Sequence, residues 1–163
     1  MDIDRILVPV SFAPSNKKAF RMAAMMASAF GARLYVLNAF RTPPHLFFSV
    51  GALHDEDGGR EREEKVAQLD EFVRRELDLF GMSLDVREIE VEDENAVDAI
   101  LRVAKEKGVD LIVLGHHEES RLEHLLFGRN IDRIVDRAPC NVLVTRTKLF
   151  DRPLENPPEP EVP

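Results

Sequence analysis

The sequence is poor in cysteine, tryptophan and positive charge. Its 163 residues include one cysteine, Cys140, and no tryptophan, and 22 Lys and Arg stand against 30 Asp and Glu, for a net charge of −8. A single cysteine excludes a disulfide within the chain, and without a CxxC pair we expect Cys140 to be a small buried hydrophobe without a redox role. An acidic chain lacks the basic surface that neutralises phosphates, which argues against nucleic acid as a partner.

The chain also lacks a targeting signal and a long apolar run. Its first residues do not show the basic and then apolar regions of a signal peptide, and no run approaches the roughly 20 apolar residues that span a bilayer. An apolar share of 44% and a charged share of 32% are typical of a soluble globular protein. We therefore expect a cytoplasmic protein with no membrane association, with one domain over residues 1–150 and a disordered proline-rich tail over residues 151–163.

Apolar runs and amphipathic helices alternate along the chain. The continuous apolar run at residues 6–10 predicts a strand that is covered on both faces, and apolar residues at helical spacing predict the helix after it. Helices between apolar strands indicate right-handed crossovers, and so an α/β fold with a parallel sheet and helices on both faces. The predicted strands lie near residues 6–10, 34–37, 84–91, 109–114 and 142–144, and the predicted helices near 16–30, 61–80, 96–107 and 129–137.

The ends of these helices carry recognisable signals. Ser15 is a candidate N-cap for the first helix, and either Asp93 or Asn95 for the third. Gly31 and Gly108 are candidate stops. Prolines at 43 and 44 and glycines at 51, 58 and 59 interrupt regular structure, so we predict a long loop over residues 41–60, of the kind that is often functional.

The predicted topology also places a site. Ligands of open parallel sheets bind outside the carboxyl ends of the strands, where the strand order reverses. Residues 10–13 and 114–117 leave two central strands at that end. Any ligand is expected there.

Three blocks of sequence carry a family resemblance. They are RILVPVSFAPS at residues 5–15, DLIVLG at residues 110–115, and LLFGRNIDRIV at residues 125–135 with APCNVLV after it. In order and spacing these blocks resemble the universal stress proteins. The resemblance implies an open five-stranded parallel sheet in the order 3-2-1-4-5, the adenine nucleotide alpha hydrolase-like fold, and a homodimer through the last strand, with Val142, Leu143 and Val144 in the interface.

The resemblance also identifies a phosphate-binding loop that this chain alters. The family's ATP-binding members have the pattern G-x2-G-x9-G-[S/T] after the fourth strand. Its glycines let backbone N–H groups approach the phosphates, and its final Gly-[S/T] step opens a helix whose positive end attracts anions. Gly115 and Gly128 match the first and third glycines. Glu118 stands at the second glycine, and Arg129 replaces the final hydroxyl residue. A carboxylate about 4 Å from a phosphate repels it by around 4 kcal/mol at an effective dielectric near 20, roughly a thousandfold in affinity.

Another departure lies in the first strand. Ser11 stands where the ATP-binding members have an aspartate that helps to hold the nucleotide or its metal, and a serine hydroxyl supplies no metal-ligating charge. The other positions that match the family's ligand contacts are Pro9, Ala39, Leu114 and Asn130. We therefore expect no cofactor, and no ATP binding of the usual kind.

Neither metal binding nor catalysis finds support in the sequence. His116, His117, Glu118 and Glu119, with His124 nearby, lack the HExxH spacing, and we interpret them as a polar loop after a strand. No serine has the surroundings of a nucleophile elbow, and no acid and base stand out as a pair. We expect a protein that is not an enzyme.

Three hypotheses of function remain open. The first is a non-catalytic, dimeric stress-response or regulatory protein whose cleft no longer takes ATP. The second is a binding module that still takes a nucleotide or another small anion, with Arg129 in place of the lost hydroxyl. The third is a slow nucleotide hydrolase, for which no water-activating residue is found. The loop substitutions favour the first hypothesis over the second, and an unidentified protein partner or small ligand is compatible with it.

Overall fold

The computed structural model describes residues 2–11, 14–40, 56–92, 95–116 and 124–146. Strands and helices alternate along them, as the sequence predicts. The predicted tail over residues 151–163 lies outside the described residues. In chain order the elements are β1 (Arg5–Pro9), α1 (Pro14–Phe30), β2 (Arg33–Phe40), α2 (Glu56–Asp78), β3 (Val86–Glu92), α3 (Ala96–Lys107), β4 (Leu111–His116), α4 (His124–Arg137) and β5 (Asn141–Arg146).

The five strands form one parallel sheet in the order β3-β2-β1-β4-β5. This order confirms the α/β fold and the strand order that the resemblance implies. The strands β2 and β3 are added in turn on one side of β1, and the chain then crosses to the other side of β1, where β4 and β5 are added. Because the strand order reverses between β1 and β4, the segments that follow these two strands leave in different directions and open a crevice.

Two apolar cores cover the two faces of the sheet. In β1, Ile6 and Val8 belong to the core beneath α1 and α2, while Leu7 belongs to the core beneath α3 and α4. All three side chains are 0% exposed. The first strand is thus buried on both faces, as its continuous apolar run predicts.

The helix α2 buries a stripe at helical spacing. Leu69, Phe72 and Val73 pack into the core on the α1 side of the sheet. Phe72 meets Phe20 of α1 edge to face, with 5.3 Å between the ring centroids. This geometry is favourable for aromatic pairs, and it fixes α1 against α2.

The helix α3 has a defined cap at each end. The Asn95 side chain accepts a hydrogen bond from the Val97 N–H at 2.9 Å, so Asn95, and not Asp93, is the N-cap. Gly108 ends the helix with φ at +59°, and its N–H is directed at the carbonyls of Ala104 and Lys105. Gly31 adopts a similar φ of +66° just after α1. Both glycines therefore act as the predicted helix stops.

One carboxylate joins the two strands that flank the crevice. The side chain of Asp110, just before β4, accepts hydrogen bonds from the N–H groups of Asp4 and Arg5, at 3.0 and 2.9 Å. These bonds set the start of β1 against the start of β4. The opposite, carboxyl ends of the same strands are then held at a defined separation.

Three helix starts differ from the prediction. The helix α1 begins at Pro14, so Ser15 lies inside it; proline suits a first helical position because its missing N–H has no partner there in any case. The helix α2 begins at Glu56, so the predicted loop over residues 41–60 was wrong from residue 56 onward. The helix α4 begins at His124 instead of residue 129. Residues 41–55 lie outside the described part of the chain.

None of the helices in the described segments is both long enough and apolar enough to cross a membrane.

Candidate functional site

A cavity of about 150 Å³ lies at the carboxyl ends of β1 and β4, where the sequence places a site. The ends of β2 and β4 and the helices α1, α3 and α4 contribute its walls. A cavity of this size accommodates one aromatic ring system, since an engineered apolar cavity of about 150 Å³ binds benzene. The residues that line it are Pro9, Val10, Ser11, Asn16, Leu37, Ala39, Ala96, Val97, Ile100, Leu114, Gly115, His116, Asn130, Ile131 and Ile134.

The deepest part of the cavity is aliphatic. We call the six lining side chains that are 5% exposed or less the cavity floor; they are Val10, Leu37, Val97, Ile100, Leu114 and Ile134. Such a surface favours a flat apolar group over a charged one, because burying a charge without a partner is costly.

Polar side chains lie around the mouth of the cavity. We call Ser11, Asn16, His116 and Asn130 the cavity rim; Ser11 is exposed and the other three are half-buried. Among the described lining residues, His116 is the one side chain able to carry a charge. The described rim therefore offers hydrogen bonds without a carboxylate, and it supplies no oxygen charge for a metal ion.

Buried hydrogen bonds fix the segment that leaves β1. Asn38 of β2 is 3% exposed, and its Nδ2 donates to the Val10 carbonyl at 2.8 Å. The Val10 N–H donates in turn to the Leu37 carbonyl, also at 2.8 Å. These two bonds hold Val10 against β2 and so position Ser11 at the rim.

The end of β4 is fixed in a similar way. The Thr145 hydroxyl of β5 donates to the Leu114 carbonyl at 3.0 Å. This bond adds to the parallel pairing of Leu114 with Val144 and of Gly115 with Thr145. The rim residues on β4 therefore stand on a rigid strand.

Most of the residues that the family resemblance implies come together at this cavity. Six of the nine line it, namely Pro9, Ser11, Ala39, Leu114, Gly115 and Asn130. Glu118, the residue on which the expected loss of ATP binding depends, lies outside the described residues.

Gly128 and Arg129 are placed differently from the loop of the ATP-binding members. Both lie within α4, which begins at His124. The positive end of this helix is therefore at His124 and not at the Gly128–Arg129 step, where the resemblance puts it.

Sequence reasoning missed one polar residue of the rim. Asn16 lies in the first turn of α1, and its Nδ2 donates to the Ser11 Oγ at 2.6 Å. A polar residue near a helix start usually faces solvent, so no sequence pattern singled out Asn16. The floor residues Val97, Ile100 and Ile134 were identified only as core positions.

Cys140 does not line the cavity, and most of the histidines and glutamates that were considered as metal ligands lie outside the described residues. Cys140 is half-buried just before β5, at the amino end of that strand and so away from the strand ends that line the cavity, and burial followed by the charge of Asp110 raises the pKa of its thiol. Among the described residues no group of three His, Cys, Asp or Glu side chains is placed to hold a metal ion. His117, Glu118 and Glu119 lie outside that part of the chain.

The last strand forms an edge of the described sheet. The strand β5 pairs with β4 on one side, and Val142, Leu143 and Val144 are each half-buried. On its other side β5 has no partner strand in the segments that the structure describes. An apolar edge of this kind can accept another strand.

Comparison with known proteins identifies the family to which this chain is similar. The sequence model of the universal stress protein family matches residues 2–146. A universal stress protein of Thermus aquaticus, from the QAH/OAS sulfhydrylase 3′ region, is 30% identical over 142 residues, which are 86% of this chain and 97% of that protein.

Two further relatives are matched over part of their length. A protein of Synechocystis sp. named as a sensor protein, KdpD, is 33% identical over 137 residues, which are 83% of this chain and 31% of that protein. The universal stress protein MJ0577 of Methanocaldococcus jannaschii is 27% identical over 79 residues, which are 48% of this chain and 46% of that protein. The chain thus spans about a third of the sensor protein, and the match to MJ0577 spans about half of that relative.

Solved structures share the fold. A universal stress protein in complex with cAMP superposes with a TM-score of 0.65 at 20% identity, covering 89% of this chain and 98% of that chain. A universal stress protein of Archaeoglobus fulgidus in complex with dAMP superposes with a TM-score of 0.57 at 22% identity, covering 88% and 98%. The family match over residues 2–146 and the Thermus relative of nearly equal length agree with this fold, and the chain belongs to the universal stress protein family.

Proposed function

We propose that this chain is a non-catalytic universal stress protein that binds a small ring-bearing ligand in the cavity at the ends of β1 and β4, and that it does not bind ATP in the usual way. The observation that carries the proposal is the cavity itself, with an aliphatic floor and a rim of neutral hydrogen-bonding groups. A cavity with such a floor and rim can bury a ring-bearing ligand, so it supports the second hypothesis, a binding module, more than the first, in which the cleft no longer takes a nucleotide.

Adenine mononucleotides are the first ligands to test. Relatives of the same fold form complexes with cAMP and dAMP. An adenine ring suits the aliphatic floor, because a flat ring buried there gains apolar contact without an unpaired charge.

A triphosphate suits the site less well. The described lining contains no lysine, arginine, aspartate or glutamate that would pair with phosphates or hold their metal. Ser11 replaces the aspartate of the ATP-binding members, and the start of α4 at His124 moves the helix dipole away from Gly128.

The same lining supports a non-catalytic role. Hydrolysis requires a group that activates water and usually a second group that protonates the leaving oxygen. His116 is the one titratable side chain among the described residues of the cavity, so these residues offer no acid and base pair. This argument disfavours the slow hydrolase.

Calorimetric titration tests the ligand. We expect AMP or cAMP to bind the purified chain at least tenfold more tightly than ATP, with or without Mg²⁺, and a double variant, Glu118→Gly with Arg129→Ser, to recover ATP affinity by restoring the family's loop pattern. Tighter binding of Mg-ATP than of AMP to the unmodified chain would contradict the proposal. Heats at the level of dilution for all three compounds would show that the cleft takes no adenine nucleotide.

We also propose that the chain forms a homodimer through β5. The support is the apolar edge formed by Val142, Leu143 and Val144. Sedimentation at micromolar concentration should give twice the monomer mass, and Val144→Lys should give the monomer, because an edge lysine opposes strand pairing. A monomer for the unmodified chain would refute this assembly.

A further inference from the structure

The Ser11 and Asn16 side chains form a hydrogen-bonded unit at the cavity, which we call the Ser11–Asn16 couple. The Asn16 Nδ2 donates to the Ser11 Oγ at 2.6 Å, and both residues line the cavity. One residue follows β1 and the other lies in the first turn of α1, so the couple bridges the turn that connects these two elements.

The hydrogen bond within the couple fixes what it offers to a ligand. The Ser11 oxygen accepts from Asn16, which leaves the hydroxyl proton to be donated elsewhere. The Asn16 side chain also has a carbonyl oxygen, Oδ1, that accepts. A donor and an acceptor therefore lie side by side at the rim, a pattern complementary to hydroxyl groups, which both accept and donate.

The surroundings of the couple favour an uncharged group. Neither side chain carries a charge, and among the described residues of the cavity His116 is the one that is able to. A phosphate next to the couple would meet the Asn16 carbonyl oxygen, an acceptor, without a cation to compensate for it. A sugar hydroxyl meets no such penalty.

The position of the couple matches a sugar next to a buried ring. Leu37, Ile100 and Leu114 form part of the apolar floor, while Ser11 is exposed and Asn16 half-buried at the rim. With a ring on the floor, the group attached to the ring comes to lie at the rim.

We infer that Asn16, acting with Ser11, is a specificity-determining residue that recognises the hydroxyl groups of a nucleoside sugar, so that the site selects for the sugar and not for phosphate. This inference rests on the proposed function, because it concerns the same cavity. It predicts that adenosine binds about as tightly as AMP, and that Mg²⁺ changes neither affinity.

The test combines one variant with one altered ligand. Adenosine and 2′,3′-dideoxyadenosine, which lacks the 2′- and 3′-hydroxyls of the sugar and keeps the 5′-hydroxyl, are titrated into the unmodified chain and into Asn16→Ala. Asn16→Ala should lower the affinity for adenosine about tenfold and leave the affinity for dideoxyadenosine unchanged, since the lost hydrogen bond exists only with the first ligand. Ser11→Ala, which removes the exposed member of the couple, should give the same pattern if Asn16→Ala proves poorly folded.

Each outcome has its own meaning. Equal losses for both ligands would assign Asn16 a purely structural role and overturn the inference, as would an unchanged affinity for adenosine. In either case the unmodified chain still binds adenine compounds, and the proposed function stands. If the unmodified chain binds neither adenosine nor AMP, the proposed ligand class itself has failed.

Discussion

Arg21 of α1 and Glu76 of α2 form an ion pair at the interface of the two helices, with 3.0 Å between the Arg21 Nε and the Glu76 Oε2. Glu76 is 1% exposed, whereas the Arg21 side chain is 39% exposed. Lys17 and Arg75 stand further away, at 3.9 and 3.8 Å from the second carboxylate oxygen. The Arg21 guanidinium also covers the Phe80 ring at 4.8 Å. One arginine thus holds a buried carboxylate and the end of α2 together.

Removal of this arginine should cost more stability than neutralising its partner. Arg21→Ala leaves a buried carboxylate short of its nearest cation and uncovers Phe80, for an expected loss of about 3 kcal/mol in the free energy of unfolding. Glu76→Gln keeps the shape and one acceptor for Arg21, so we expect about 1–2 kcal/mol. Urea unfolding followed by circular dichroism measures both values.

Arg74→Ala is the matched control on the same helix. Arg74 pairs with Asp70 one turn away, and both side chains are at least half exposed. Exposed pairs of this kind contribute about 0.5 kcal/mol or less. A loss for Arg21→Ala no greater than for Arg74→Ala would show that the buried position of Glu76 does not matter.

Gly108 should resist substitution for two separate reasons. Its φ is +59°, and a Cβ added there would lie 2.8 Å from the Nη1 of Arg5, which donates to the Lys107 carbonyl at 3.1 Å. We expect Gly108→Ala to cost about 1.5 kcal/mol, most of it from the left-handed backbone and a smaller part from displacing the flexible end of Arg5 and its hydrogen bond. Thermal unfolding monitored by circular dichroism measures the cost.

Gly31 separates the two contributions. It has a similar φ of +66°, but no described atom lies within 4 Å of an added Cβ. Gly31→Ala should therefore cost only the backbone part, about 1 kcal/mol. Equal costs at the two positions would mean that the Arg5 contact contributes nothing.

The sequence predicted the sheet well because burial on both faces leaves a simple pattern. Ile6, Leu7 and Val8 are each fully buried, so the three middle positions of β1 must be apolar and form a continuous run. The strand order followed from the family resemblance, since apolar runs alone do not say which strands are neighbours.

Helix starts were harder to predict. Gly58 and Gly59 indicated a break, yet α2 runs through them from Glu56 to Asp78. A glycine costs a helix about 1 kcal/mol relative to alanine, which a long helix offsets when it packs a stripe such as Leu69, Phe72 and Val73.

The cavity was beyond the reach of the sequence. Helical spacing shows that Val97, Ile100 and Ile134 face the core, and they are indeed buried. It does not show that a ring-sized gap remains between these helices and the strand ends, because that depends on how the elements pack in space. Asn16 was missed because its contact with Ser11 depends on how the turn between β1 and α1 folds back.

Filling the cavity should abolish ligand binding without unfolding the protein. Ala39 is half-buried and lines the cavity, so Ala39→Leu places three more carbons near the floor. We expect the affinity for AMP to fall more than tenfold, while the unfolding temperature stays level or rises, because filling a cavity adds apolar contacts. Titration calorimetry and thermal unfolding measure the two effects.

Ala29→Leu provides the comparison. Ala29 is exposed on α1, and the same three carbons added there should change neither affinity nor stability much. AMP affinity that survives Ala39→Leu would place the nucleotide somewhere other than this cavity.

Cys140 should react slowly with alkylating reagents until the pH is well above neutral. Burial, and then the charge of Asp110, raise the pKa of this thiol above its ordinary value, and the thiolate is the reactive form. At pH 7, iodoacetamide should therefore label the folded chain more slowly than the urea-unfolded chain. The rate should climb as the pH approaches the raised pKa. Mass spectrometry of timed samples measures both rates, and equal labelling of folded and unfolded chains at pH 7 would contradict the expectation.

The raised thiol pKa also gives stability a pH dependence with a definite sign. Because the folded pKa lies above the unfolded pKa, the unfolded chain ionises first as the pH rises. The stabilising contribution is complete below the unfolded pKa of about 8.5 and is lost as the pH rises through the folded pKa. Cys140→Ala removes this titration. The free energy of unfolding of this variant should therefore decline less than that of the unmodified chain between about pH 8 and pH 10, the range in which thiols ionise. Parallel declines for the two proteins would show that Cys140 ionises alike in the folded and unfolded states.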